Sequence, residues 1–440
     1  MKKLILGAVA LMTAGTLMAG SVDYLSNQSA DYLRTFSRNA SLDADAAVYN
    51  PAGTAFFAPG LTFALSNQSV FKVYENDMDT TNAFLKRYDK EYKSTEPTYF
   101  LPNGQLVFNR GAWAAYLTSG VVAGGGTAVY GDGVPTMGIN ALAVGQSAKT
   151  KSGGAVAGAI WTSGNLTATS LYPQVTVGGS YALIDSLSVS AGLRYVYGLK
   201  TFKGEANYTF VNGSGVPITT PGLTGTVLKL DVVQSAQGIG GIVGVNWKAY
   251  QGLLVTMRVE TPTPLEFATK VNDGNDFGGF FTDGKKETKD LPALAALGVR
   301  YDWNDLSVTA SGTGFLLGLS RNGDYLKKYN DFGWETGLSA EYAFIPGLLK
   351  ASVGGMITTV GGNKDSYTDF DFSLDSQSVG GGLVYTPMKD LDITVSASKT
   401  FYTSSAGNYQ PIPAIGLADY TTTYKKDAFT VNVGVQYKLF

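Results

Sequence analysis

The chain has no cysteine and no histidine in its 440 residues. The first absence excludes disulfides and thiolate metal sites. The second excludes Ser-His or Cys-His catalysis and histidine-ligated zinc. Neither a catalytic residue, a metal site nor a cofactor is expected, and an enzyme is the least favoured reading. An excess of either charge is missing too: 33 basic against 35 acidic side chains leave a formal net charge of −2, without the basic footprint of a nucleic-acid binder. No apolar run beyond residue 20 is long enough for a membrane helix. Phosphate-binding loops and dinucleotide fingerprints are lacking in any strand-helix setting, and Phe277 interrupts the calcium-like acids of "DGNDFGGFFTDG".

What is present is 55 glycines, 26 tyrosines and 22 phenylalanines at near-neutral mean hydropathy. The first 20 residues, "MKKLILGAVALMTAGTLMAG", place two lysines before a short apolar run ending in small residues. That is the layout of a cleaved signal peptide, so an exported protein is expected.

The remainder alternates with period two, as strands do. In "SLSVSAGLRYVYGLK", Leu187, Val189, Leu193, Tyr195 and Tyr197 share one face and Ser188, Ser190, Arg194 and Lys200 the other. "GIGGIVGVNWK" and "ALAALGVRYDW" repeat the pattern. A soluble sandwich and a membrane barrel both produce it, but two further patterns separate them. Connections alternate between long (124–166, 202–226, 404–424) and tight ("NRG", "ID", "AYQ", "ND", "IPG", "MKD"), as in outer-membrane barrels. Aromatics also gather at one end: Tyr181, Trp247, Tyr301, Trp303, Tyr342, Phe344, Tyr385 and Tyr437 precede tight turns or the chain end on the apolar face, where a headgroup girdle belongs. The expected fold is all-β: a transmembrane antiparallel β-barrel of about fourteen strands over residues 59–440. The C-terminal "YKLF" ends on an aromatic, as barrel-assembly machinery usually reads, although Phe440 falls out of phase with Tyr437 and Leu439.

Residues 21–58 do not fit the wall. Within them, "DADAAVYNPAGTAFF" has alanines at helical spacing and then an Asn-Pro turn. Such an arm is expected to fold into the lumen, where a polar inner wall satisfies its backbone. At this point "SRNASLDADAAVYNPAGTAFF" resembles the N-terminal hatch of the FadL family of outer-membrane transporters for long-chain fatty acids and other hydrophobic compounds. Asp43, Asp45, Asn50, Pro51 and Ala52 carry the resemblance, and Leu291-Pro292 resembles that family's Leu-Pro after the fourth extracellular loop.

The resemblance implies capture of a hydrophobic ligand by external loops, binding in the lumen, and sideways exit beside the hatch through an inward kink of the third strand. The implied gate and hatch residues are Asn50, Pro51, Ala52, Ser119 and Gly120. Gly124, Gly125 and Gly126 follow, and read more simply as the start of a loop. Phe277, Phe280 and Phe281 are candidates for loop capture, since exposed apolar loops usually bind something. A fatty-acid carboxylate calls for a cation. Arg194, Lys200, Arg258 and Arg300 face inward, although inward acids, among them Glu260, Asp302 and Glu341, offer them ordinary pairing.

The leading function is therefore outer-membrane uptake of a hydrophobic small molecule, foremost a long-chain fatty acid, by a monomer in contact with outer-membrane lipid and lipopolysaccharide. A general diffusion porin, or a surface adhesin or structural barrel, remains the alternative.

Overall fold

A computed structural model describes residues 28–321, 332–361, 367–369, 372–409 and 420–439. The expected signal peptide and Phe440 lie outside the described residues.

Fourteen antiparallel strands form the wall. They are β1 (Gly60–Asp79), β2 (Thr98–Asn109, extended above by Glu91–Ser94), β3 (Trp113–Tyr130), β4 (Gly158–Ile184), β5 (Leu187–Val211) and β6 (Gly225–Tyr250). Next come β7 (Leu253–Glu260 and Glu266–Asp276), β8 (Lys286–Thr288 and Ala293–Trp303), β9 (Leu306–Leu316) and β10 (Gly333–Ile345). The last are β11 (Leu349–Thr359), β12 (Ser376–Met388), β13 (Leu391–Tyr402, continued by Ser405–Tyr409) and β14 (Tyr420–Leu439). Each strand pairs with its sequence neighbour. β14 returns to β1 from Leu61↔Leu439 to Asp79↔Thr421, which closes the cylinder.

The wall faces follow the alternation. Leu193, Ile239, Val243, Leu297, Val353 and Val433 point outward and are exposed, while Ser188, Asn246, Thr256 and Asn432 point inward and are buried. An apolar exterior around a polar interior is stable only in lipid. Six tight turns close one end, and the aromatics predicted for that end are outward there, joined by Trp113 and Tyr250.

At the other end the strands run further than expected. β3 continues to Tyr130, β4 begins at Gly158 and β5 reaches Val211, so the loops are shorter than 124–166 and 202–226. Pairing persists above the bilayer, whereas alternation fades once neither face meets lipid. The shortened loop holds a 17-residue helix, α3 (Pro135–Lys151). Pro135 at its first turn and Lys149 and Lys151 in its last are the sequence signals for it.

Candidate functional site

The N-terminal arm lies against the inner wall. Its backbone bends through α1 (Ala30–Leu33), α2 (Ala46–Tyr49) and a 3-10 turn, Pro51–Phe56. Ser29 caps α1 by accepting from the Tyr32 N–H at 3.0 Å. The arm's carbonyls accept from wall side chains around much of the circumference: Ser188 Oγ donates to Ala52 O at 2.7 Å, Thr256 Oγ1 to Asn39 O at 2.6 Å, and Asn109 Nδ2 to Thr54 O at 3.0 Å. This is how irregular backbone survives at membrane depth. Close contact also needs bare wall: a Cβ on Gly354 would stand 1.7 Å from Thr35 O.

A buried ion cluster holds the arm's own shape. Arg38 donates to Asp45 at 2.7 Å and to Asp43 at 2.6 Å, and Ser41 donates to Asp45 at 2.6 Å. Burial pushes the Asp43 carboxyl up, but Arg38, backed by Lys350, Arg34 and Arg300, outweighs it and holds Asp43 well below the usual carboxylate range. Asn50 donates from Nδ2 to Ser41 O at 3.0 Å, which ties the Asn-Pro turn to this cluster. Asn50, Pro51 and Ala52 thus fasten the arm, while Ala47, Val48 and Tyr49 face the crevice described next.

The wall opens between β2 and β3. These strands pair only from Gly104↔Ser119 to Asn109↔Ala114. Above that point β3 keeps its pairing with β4, through register shifts at Val121/Ala123 and Ala123/Gly126. Gly124 and Gly126 therefore belong to a bulge inside β3, which corrects their reading as a loop start. Gly124 has φ +106, and a Cβ there would sit 2.4 Å from Ser170 O, so glycine is required. β2 bends as well. Its register against β1 shifts between Gln68 and Val70, leaving consecutive Tyr99 and Phe100 both exposed. Asn67 and Ser69 donate to Tyr99 O at 3.0 and 2.8 Å, and Asn67 Oδ1 accepts from Leu101 N at 3.0 Å. Their side chains thus replace the ladder bonds lost at the bend. The Val129 N–H donates to Ser94 Oγ at 2.8 Å and closes the seam above.

Two cavities meet this seam. The lower, of about 40 Å³, lies between the arm and Ser119, Gly120, Val121 and Val122. The upper, of about 150 Å³, is bordered by Thr98, Leu101, Gly124 and Gly126 along the seam, where Lys72 Nζ donates to Thr98 Oγ1 at 3.3 Å, and also by Tyr402 and Lys426. Both lysines are buried among rings. Lys426 Nζ lies 5.0 Å from the Phe372 ring centre and 5.6 Å from that of Tyr74, and Lys72 Nζ lies 5.5 Å from Tyr74.

Of the cations singled out in the sequence, Arg194 and Arg258 border the lower cavity, while Lys200 and Arg300 lie outside both. Arg194 is paired with Glu260. Arg258 contacts Glu260 at 3.1 Å and donates to Val48 O in the arm. Arg300 pairs with Asp302 at 2.9 Å near the tight-turn end. Lys200 Nζ lies 4.3 Å over the Phe267 ring, beside an apolar patch of Ala123, Tyr172, Val196, Leu265 and Leu291 that crosses the inner wall. Leu291-Pro292 interrupts β8 opposite a matching break in β7, with Thr263 and Leu291 exchanging both backbone hydrogen bonds at 3.0 Å. Lys72 and Lys426 carry no distinguishing signal in the sequence, since each is one polar residue among many on an inward face.

The loop phenylalanines are not free at the surface. Phe277 and Phe281 are buried and Phe280 is half-buried in a cluster with Met137 and Ile139 of α3, Tyr88, Phe202 and Tyr424. The loops pack into a lid. Asp369 latches it, accepting from Thr136 N at 2.7 Å and Thr136 Oγ1 at 2.5 Å near the start of α3.

No family model and no curated sequence matches the chain. Solved structures do. A FadL homologue from Pseudomonas aeruginosa is 14% identical, with a TM-score of 0.68, over 95% of this chain and 100% of that one. The Ralstonia pickettii toluene transporter TbuX is 15% identical, with a TM-score of 0.61, over 94% and 99%. The Pseudomonas putida toluene transporter TodX is 15% identical, with a TM-score of 0.58, over 95% and 99%. The chain shares the fold of these barrels.

Proposed function

We propose that the protein carries hydrophobic compounds across the outer membrane of a Gram-negative-type bacterium, with residues 21–58 acting as the hatch and the β2–β3 seam as a lateral exit. One observation carries the reading: both cavities open on the same unpaired stretch of wall. A water-filled pore has no use for such a seam. A greasy ligand does, because each methylene moved from water to an apolar site gains about 0.8 kcal/mol, or roughly 8 for ten.

The cargo that fits best is a long-chain fatty acid. About 150 Å³ is the size of a cavity that holds one benzene ring, so a long tail has to run on along the seam toward lipid. Lys72 and Lys426, set among aromatic rings, suit the carboxylate end. The toluene transporters among the similar structures make a neutral aromatic the competing cargo.

The test is uptake of labelled oleate and labelled toluene by cells with and without the gene, and with Lys72→Met/Lys426→Met. Loss of oleate uptake in the double variant, with toluene unaffected, supports the fatty-acid reading. Oleate uptake independent of the gene refutes it.

A further inference from the structure

The extracellular rim carries a second, different basin. Arg87, Lys90, Asp132, Trp161 and Ser163 border an open space of about 340 Å³. Trp161 lies 23 residues above the tight-turn end of β4 at Ile184 (184 − 161). At about 3.3 Å per residue and a tilt near 40°, that is roughly 55 Å up, against an apolar band of about 25 Å. The basin therefore stands clear of the hydrocarbon, at the height of surface saccharide.

Its floor is rigid. The Trp161 N–H donates to Tyr88 Oη at 2.8 Å, Trp161 Nε1 donates to Ser163 O at 2.7 Å, and the Tyr88 and Tyr92 rings lie 5.5 and 6.1 Å from the indole. Its charges lack an opposite charge among the described residues. Arg87 spends Nε on Phe84 O at 3.0 Å with its guanidinium 4.7 Å from the Phe84 ring, and Lys90 lies 4.8 Å over Tyr92. Neither has a carboxylate partner among the described residues, whereas their neighbours Lys86 and Lys93 are paired with Asp89 and Glu75. Asp132 likewise has no hydrogen bond or ion pair among the described residues, and Gly131 beside it has open space where a side chain would stand.

Two cations and a carboxylate without charged partners among the described residues, grouped over a small aromatic floor, do not suit a fatty acid. We infer that this basin binds a phosphorylated saccharide, with Arg87 and Lys90 on the phosphate and Asp132 accepting from sugar hydroxyls. In an outer membrane that chemistry is offered by the phosphorylated core sugars of lipopolysaccharide, and also by free sugar phosphates. Such a contact would anchor the rim in the saccharide layer, independently of transport.

The test uses the full-length protein in detergent and an Arg87→Gln/Lys90→Gln variant whose heat-modifiable migration shows an intact barrel. Affinity is measured for rough lipopolysaccharide with a phosphorylated core, for the same material after dephosphorylation, and for mannose 6-phosphate as competitor. Wild type is expected to prefer the phosphorylated form about ten-fold or more, and the variant to lose that preference. Competition by mannose 6-phosphate identifies the sugar phosphate itself as sufficient. Retained preference without competition identifies the lipid-bound source. Equal binding of both lipopolysaccharides by wild type, or an undiminished preference in the variant, overturns the inference. Oleate uptake is expected to be unchanged in the variant, which keeps this result separate from the transport reading.

Discussion

Gly104 and Ser119 are the last paired residues of the β2–β3 seam, and everything above them on β2 faces β3 without a ladder. The bend that follows is held from the lipid side by two polar residues, Asn67 and Ser69, whose side chains occupy the backbone groups the bend leaves unpaired.

Asn67→Leu is therefore expected to destabilise the barrel by about 1–3 kcal/mol, since it strands Leu101 N and half-strands Tyr99 O away from water. Urea unfolding in detergent micelles measures this. Ser69→Ala, which leaves Asn67 in place, is expected to cost less.

Gly124→Val tests the other lip. A side chain at φ +106, 2.4 Å from Ser170 O, cannot coexist with the bulge. β3 is expected to straighten toward β2, and labelled-oleate uptake to fall several-fold while heat-modifiable migration stays normal. Gly120→Phe, which fills the lower crevice, is expected to slow uptake in the same way.

Arg38→Met removes the cation from between Asp43 and Asp45 and leaves the buried Asp45 carboxylate with only the Ser29 and Ser41 hydroxyls. Breaking a buried pair costs about 3–5 kcal/mol, so the arm should loosen and single-channel leakage rise in planar bilayers, as deletion of residues 21–58 should do more fully. The lowered Asp43 pKa gives the pH sign. Its contribution is complete above the ordinary carboxylate range and is lost only as pH falls toward the lowered value, so leakage in wild type is expected to appear in strong acid and not near neutrality.

Asp369 behaves oppositely. Burial pushes its carboxyl up to about 6, and the hydrogen bonds from Thr136 and Tyr424 only partly offset this. A raised carboxyl favours the closed lid while protonated. That contribution is complete below about 4 and lost as pH rises through 6. Amide protection in α3, corrected for the intrinsic pH dependence of exchange, is expected to be greater at pH 5 than at pH 7, and Asp369→Asn to flatten the difference.

The barrel was legible in the sequence because lipid reads every second residue. Leu193, Tyr195 and Tyr197 against Ser190, Arg194 and Lys200 fix which face is out, and a one-residue slip would reverse them all. The girdle aromatics and tight turns are equally local. The Asn-Pro-Ala arm was conspicuous because it breaks that period.

The site was a different matter. Lys72 and Lys426 are 354 positions apart (426 − 72) and become neighbours only when β14 closes on β1. The seam depends on where β2–β3 pairing stops, and the buried state of Phe277 depends on α3 arriving over it. Alternation is a property of one strand and survives in the sequence. A gap, a cavity or a packed lid is a relation between strands, and only the closed cylinder determines it.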